Sequence, residues 1–212
     1  MPSRKSVVAT LSAACSFLFC VALLGAVSAA KDKQPPPPPP AHAKSPSPAV
    51  TDAFIHQQFG DGCSLVAGPP QFVADLDDDG VDDLVVAARC KNPMADKDEY
   101  SFTVADPYDA ALGYGDVKVT STFASDEPER RGLCLLVIHG AEKDAWRSDK
   151  PKAKFVLINA PFKSVTVKRF ALKKRTILGI YMEETGEGEQ TSSVIFWDGK
   201  KYRYQMLGAT LD

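Results

Sequence analysis

The sequence predicts a mainly β domain of the α+β class, an antiparallel sheet with one short helix at its N-terminal end. Three observations lead there. Eleven short segments between residues 64 and 206 are β-branched or aromatic, or alternate apolar with polar residues. Gly, Pro, Asn and Asp separate them at turn-forming positions. No stretch between them is long and periodic enough to be the crossover helix that a parallel βαβ sheet requires.

Taken in order, the chain begins with an export signal over residues 1–30. Arg4 and Lys5 are the only charged side chains there, ahead of an apolar run over 6–27. Val27-Ser28-Ala29-Ala30 then supplies the small residues that a signal peptidase needs at −3 and −1. Cleavage leaves no membrane span, and the domain is secreted or periplasmic. Left uncleaved, the run is long enough to anchor the chain through residues 6–30. Cys15 and Cys20 lack the flanking residues of a lipobox. Residues 31–48 hold eight of the 16 prolines, six of them consecutive at 35–40. With φ locked and no N–H to donate, this linker is a polyproline II or unstructured spacer, and its six prolines alone reach roughly 19 Å.

Residues 49–212 are enough for one globular domain with a sizeable core. Val50, Ala53, Phe54 and Phe59, with Thr51 and Asp52 as caps and Gly60 as stop, predict a helix over 50–59. Strands are predicted over 64–67, 71–74, 84–89, 100–104, 117–123, 133–139, 154–159, 165–170, 176–181, 193–197 and 202–206. Gly68-Pro69-Pro70, Asn92-Pro93, Lys173-Lys174 and Asp198-Gly199 mark turns between them. Asp198-Gly199 is the strongest hairpin signal, because a type I′ turn needs φ > 0 and Asp-Gly tolerates it. No repeat of 20–50 residues interrupts this pattern. The domain carries 20 Lys and Arg against 26 Asp and Glu, a net charge of −6. That balance argues against nucleic acid as a partner, since phosphate neutralisation needs clustered positive charge.

The segment with the most chemistry is Asp75-Leu76-Asp77-Asp78-Asp79-Gly80-Val81-Asp82-Asp83. Carboxylates at positions 1, 3, 5 and 9 with glycine at 6 match the first three-quarters of an EF-hand calcium loop. Alternate residues of a tight loop point inward, so Asp75, Asp77 and Asp79 converge on one cation. Gly80 permits the bend, the Val81 carbonyl supplies an oxygen, and Asp83 coordinates directly or through water, while Asp78 and Asp82 point outward. Hard oxygen donors without Cys or His select Ca²⁺. Position 12 is Val86 rather than a bidentate glutamate, and Leu84-Val85-Val86-Ala87 reads as a strand, which excludes a calmodulin-like hand.

Phe59-Gly60 followed by the run from Phe72 to Val86 resembles one FG-GAP (VCBS-type) repeat, the calcium-loop blade unit of integrin-type β-propellers and many secreted bacterial proteins. The resemblance covers about 30 residues. It implies Ca²⁺ ligation by Asp75, Asp77, Asp79, Asp83 and the Val81 carbonyl; the alternative is an acidic turn that binds nothing. With all the ligands on one loop and no open substrate position, a bound ion reads as structural rather than catalytic. The chain holds a single copy, and a propeller needs four or more blades, so no complete propeller is expected.

Cys63, Cys90 and Cys134 remain after signal removal. Either Cys63 and Cys90 form a disulfide bracketing the aspartate loop, or all three are buried thiols. Leu135-Leu136-Val137-Ile138-His139-Gly140 has the strand-His-Gly look of α/β-hydrolases, but no G-x-S-x-G follows, so His139 reads as a strand-end residue. Lys163, Lys168, Arg169, Lys173, Lys174 and Arg175 form a basic hairpin, a solvated tip or a face for anionic polysaccharide, lipid headgroups or nucleic acid. Glu183 to Glu189 reads as a mobile acidic connection. Phe196, Trp197, Tyr202 and Tyr204 pair across strands or line a carbohydrate-stacking face. Two functional classes follow: an exported calcium-binding module that is structural or binds a protein or polysaccharide, and a secreted hydrolase-type enzyme whose site forms no sequence motif.

Overall fold

The computed structural model describes residues 49–113, 130–160, 162–172, 175–186 and 189–210. The predicted signal, the proline linker, the strand over 117–123, the Lys173-Lys174 turn and residues 187–188 of the acidic connection lie outside them. The first helix, α1 (Asp52–Phe59), starts where the Thr51 hydroxyl accepts from Phe54 N and stops at Gly60, whose N–H returns to His56 O. Ile55 and Phe59 are buried on its inner side.

Six strands form a first sheet: β1 (Cys63–Leu65), β2 (Phe72–Ala74), β3 (Asp83–Cys90), β4 (Thr103–Ala105), β5 (Leu133–His139) and β6 (Ala153–Ile158). Their order is β1-β3-β5-β6-β4, with β2 beside the other end of β3. Every pair is antiparallel except β4 with β6. Four strands form a second, wholly antiparallel sheet in meander order: β7 (Ser164–Leu172), β8 (Arg175–Gly186), β9 (Glu189–Trp197) and β10 (Tyr202–Thr210).

The alternation of side chains along the first sheet divides the core into two layers. Leu84, Val86, Ala88, Leu136, Ile138, Val156 and Ile158 pack with Ile55 and Phe59 of α1. Val85, Ala87, Leu135, Val137 and Leu157 face the other way, onto Val165, Ile180, Met182 and Ile195 of the meander. Strands covered on both faces need apolar residues at every position, which is why β3 and β5 are continuous apolar runs rather than alternating ones. Cys63 and Cys90 are cross-strand partners of β1 and β3 joined by a disulfide. Closing a loop with their sequence separation of 27 contributes ~3.5 kcal/mol in the chain-entropy model. Cys134 is a buried free thiol 3.5 Å from Cys90 Sγ, and burial pushes it up to about 12.

The expected antiparallel sheet is two sheets, and three short helical segments were not expected. They are α2 (Pro93–Asp96), α3 (Pro107–Ala111) and a 3-10 turn (Glu142–Asp144), all too short to show a helical period. The Asn92-Pro93 turn signal is the start of α2, with proline at its first turn. In the β9–β10 hairpin, Asp198 and Lys201 close the loop and Gly199 and Lys200 occupy its centre. Positive φ falls on Gly199 alone, at +102°, the sign pattern of a type II′ rather than a type I′ turn. Among the described residues, no helix is long and apolar enough to cross a membrane.

Candidate metal centre

The aspartate loop, residues 75–82, is the hairpin connection between β2 and β3, and Ala74 and Asp83 face each other at its base. Its side chains fold it. Asp75 accepts from the N–H groups of Asp79 (3.1 Å) and Gly80 (2.8 Å), and Asp79 accepts from Val81 N (2.9 Å). Gly80 has φ +87° and the exposed Asp78 has φ +63°, a region that glycine and aspartate enter more readily than most residues. Asp83 is buried and ties the loop to the rest of the sheet: Oδ2 accepts from Leu76 N and Oδ1 from Gly140 N, both at 2.8 Å. Gly140, just past β5, is required by close approach. A Cβ there would stand 2.4 Å from Asp82 O and 2.8 Å from both Ala145 C and Val81 Cγ1.

One carboxylate oxygen from each of Asp75, Asp77 and Asp83 lies within 4.8 Å of the others. Three carboxylate oxygens that close together can share one cation. Asp77 is the centre of the arrangement. Its side chain is only 3% exposed, and its Oδ2 lies 3.2 Å from His139 Nδ1 and 2.7 Å from Lys152 Nζ. Its Oδ1 is buried with no hydrogen-bond partner. An anionic oxygen in that condition is costly unless a cation or donor completes it. All the donors are hard oxygens, so the residues fit a hard divalent cation.

Asp79 stands apart from this trio. Its Oδ2 is 2.6 Å from Lys152 Nζ, which bridges it to Asp77. The lysine bond holds Asp79 below the usual carboxylate range, and the same two carboxylates raise Lys152. Asp83 is pushed up to about 7 by desolvation, against its two backbone bonds and with the charges of Asp77 and Asp79 adding to the rise. Val81 contributes its N–H to the turn, and Asp82 accepts from Trp146 N at 3.1 Å.

Behind Asp77 a polar chain runs into the core. His139 Nε2 is 2.6 Å from the Tyr202 hydroxyl, and His139 and Tyr202 are 1% and 4% exposed. The tautomer that suits both neighbours puts the proton on Nδ1, facing the carboxylate, and leaves Nε2 to accept from tyrosine. Burial lowers His139 against the opposing charge of Asp77, and burial raises the Tyr202 phenol well above its usual value. The Asp-His-Tyr order is that of a proton relay, but its histidine and tyrosine are closed to a substrate. His139 is thus more than a strand end. The one signal for it in the sequence is a titratable residue continuing an apolar run. Lys152 had none.

The aromatic set divides. Trp197 and Tyr202 pack with His139 and Phe155 between the sheets. Phe196 joins Phe170, Ile177 and Val194 in a separate cluster, and Tyr204 meets Tyr108 of α3 edge-on. Of the basic hairpin, Lys168 lies over the Tyr181 ring and Arg175 bonds Asp198 O.

Neither a family model, nor a curated protein, nor a solved structure matches the chain. Its function is read from the site alone.

Proposed function

We propose that the protein is an exported module, structural or ligand-binding rather than enzymatic, whose FG-GAP-like loop binds one structural Ca²⁺ ion. The observation that carries this is the buried, unpartnered Oδ1 of Asp77 beside the carboxylates of Asp75 and Asp83. Those three residues would hold the ion, joined by Asp79 and the Val81 carbonyl as the loop pattern implies. Calcium supplies charge neutralisation and fixed coordination to a loop crowded with carboxylates, and no chemistry at a substrate. The closure of His139 and Tyr202 supports the non-enzymatic part of the reading. A protein surface or an anionic polysaccharide is the partner class that suits an exported β-rich module.

The test is a thermal melt of the purified protein in chelator and then across micromolar to millimolar Ca²⁺, which takes in the ~0.1–1 mM affinities of extracellular calcium modules. A native-state site stabilises as RT ln(1 + [L]/Kd), ~2.7 kcal/mol at a hundredfold excess over Kd. Asp75→Asn with Asp77→Asn should abolish the shift. An unshifted melt at every calcium concentration overturns the proposal.

A further inference from the structure

We infer that Lys152 is an internal competitor for the calcium site, an ammonium that fills the cage in the metal-free protein and must leave when the divalent cation binds. The inference rests on the calcium reading above and adds what sets the affinity. Lys152 reaches the loop from the start of β6, and its backbone N–H is held by His139 O at 3.0 Å. Its ammonium lies 2.7 Å from Asp77 Oδ2 and 2.6 Å from Asp79 Oδ2, the carboxylates at positions 3 and 5 of the loop. It is therefore a monovalent cation with short, charge-assisted bonds to Asp77, a member of the carboxylate trio, and to Asp79, which the loop pattern adds to the ligand set.

Two further features make the lysine displaceable. Its side chain is 49% exposed, against 3% for Asp77, so the stem can swing to water while the carboxylate stays. Second, its ammonium satisfies Oδ2 of Asp77 and leaves Oδ1 without a partner. A single point charge thus completes the cage only in part, whereas a multiply coordinated divalent ion can engage more oxygens at once. When the ion binds, the lysine loses its bonds to Asp77 and Asp79, and like-charge repulsion drives it from the shared carboxylates. The apparent affinity is then the intrinsic one reduced by the fraction of molecules in which the lysine is already out.

The experiment is calorimetric titration of Ca²⁺ into the purified wild type, Lys152→Met and Lys152→Gln at matched low and high salt, with melts of each in chelator. Removing the competitor should tighten calcium binding by about tenfold or more, the change expected for a site open about a tenth of the time. The variants should melt below the wild type in chelator, and the gap should close in saturating calcium. A lysine that acted only through its nearby charge would give a gain that fades as salt is raised, whereas displacement of a bonded ammonium keeps most of the gain at high salt. Calcium binding of equal or weaker affinity in both variants overturns the inference while the calcium reading stands. No binding in any of the three proteins overturns both. A readout that needs no variant is NMR of the Lys152 ammonium in the wild type. Its protons should be protected from exchange in chelator and lose protection as calcium is added. Protection unchanged at saturation overturns the inference.

Discussion

Asp83 offers the sharpest test of how the loop is fastened. Asp83→Ala strips the acceptors from two backbone N–H groups, those of Leu76 and Gly140, each held at 2.8 Å by a residue that is 1% exposed. An orphaned buried N–H costs about 1–3 kcal/mol, so the pair costs about 2–6 kcal/mol. Part of this is offset, because the mutation also removes a carboxyl whose burial is costly, its pKa being pushed up to about 7 by desolvation. The net expectation is a loss of about 2–4 kcal/mol, a large part of a typical 5–15 kcal/mol domain stability. Asp83→Asn keeps one acceptor and turns an amide N–H₂ towards the other donor, so it falls between wild type and alanine. The assay is urea unfolding in chelator, which removes any metal contribution, followed by the fluorescence of Trp146 and Trp197. At an m-value of about 1–3 kcal/mol/M, the midpoint should fall by ~1 M or more for alanine. An alanine variant within the ~0.5 kcal/mol typical of a surface substitution would refute the assignment of Asp83 as the loop's buried clamp.

Two further predictions concern positions around this clamp and on the second sheet. Gly140→Ala places a methyl 2.4 Å from Asp82 O and 2.8 Å from Ala145 C, backbone atoms that cannot swing aside, so it should cost about 1–3 kcal/mol in the same urea assay. A neutral Gly140→Ala would mean that β5 and the loop do not approach as described. At Asp198, burial raises the carboxyl, but bonds from Arg203 and from the N–H groups of Lys201 and Lys200 outweigh it and bring it down to about 2. A folded value below the reference 3.8 gives stability that is fully present above about pH 4 and lost as pH falls towards 2. Asp198→Asn should therefore flatten that acid limb in melts between pH 4 and 2, by less than ~1 kcal/mol because the pair is open to solvent. Acid limbs that run parallel in the two proteins would refute it.

The strands were readable because burial on two faces leaves a plain mark. β5 spans the same residues as its apolar run, 133–139, and β3 extends the predicted 84–89 by one residue at each end. The loop was readable because its spacing is local: Asp75 caps groups four and five residues away. What the sequence hid is what depends on distant partners. Lys152 is 75 residues from Asp77, Gly140 is 57 from Asp83, and Tyr202 is 63 from His139. No periodicity or motif encodes those meetings, because each arises only once β5 and β6 have paired beside β3 and the meander has packed on the sheet. The division into two sheets was hidden for the same reason, since strand spacing does not say which strands remain hydrogen-bonded neighbours. β4 was located only to within a few residues, and its parallel pairing with β6 left no local signal.

The consequence of a cation at this loop reaches further than the loop. Asp77 touches Lys152 at the start of β6 and His139 at the end of β5, and His139 carries the contact on to Tyr202 of β10. The imidazole also lies among the rings of Phe155 and Trp197, with centroids 5.1 Å and 5.0 Å away. One carboxylate therefore fixes the ring around which the first sheet and the meander meet. If a cation completed Asp77, the stabilisation would act on the packing of both sheets as well as on the β2–β3 hairpin, and the protein would respond as one cooperative unit rather than by local ordering. On the proposed reading of an exported calcium-binding domain, the fold would be weaker where the free ion is scarce and tighten after export, where it is abundant. On the proposed reading, the lysine bridge protects the protein before that point, because Lys152 neutralises part of the acidic cluster until the stronger cation replaces it.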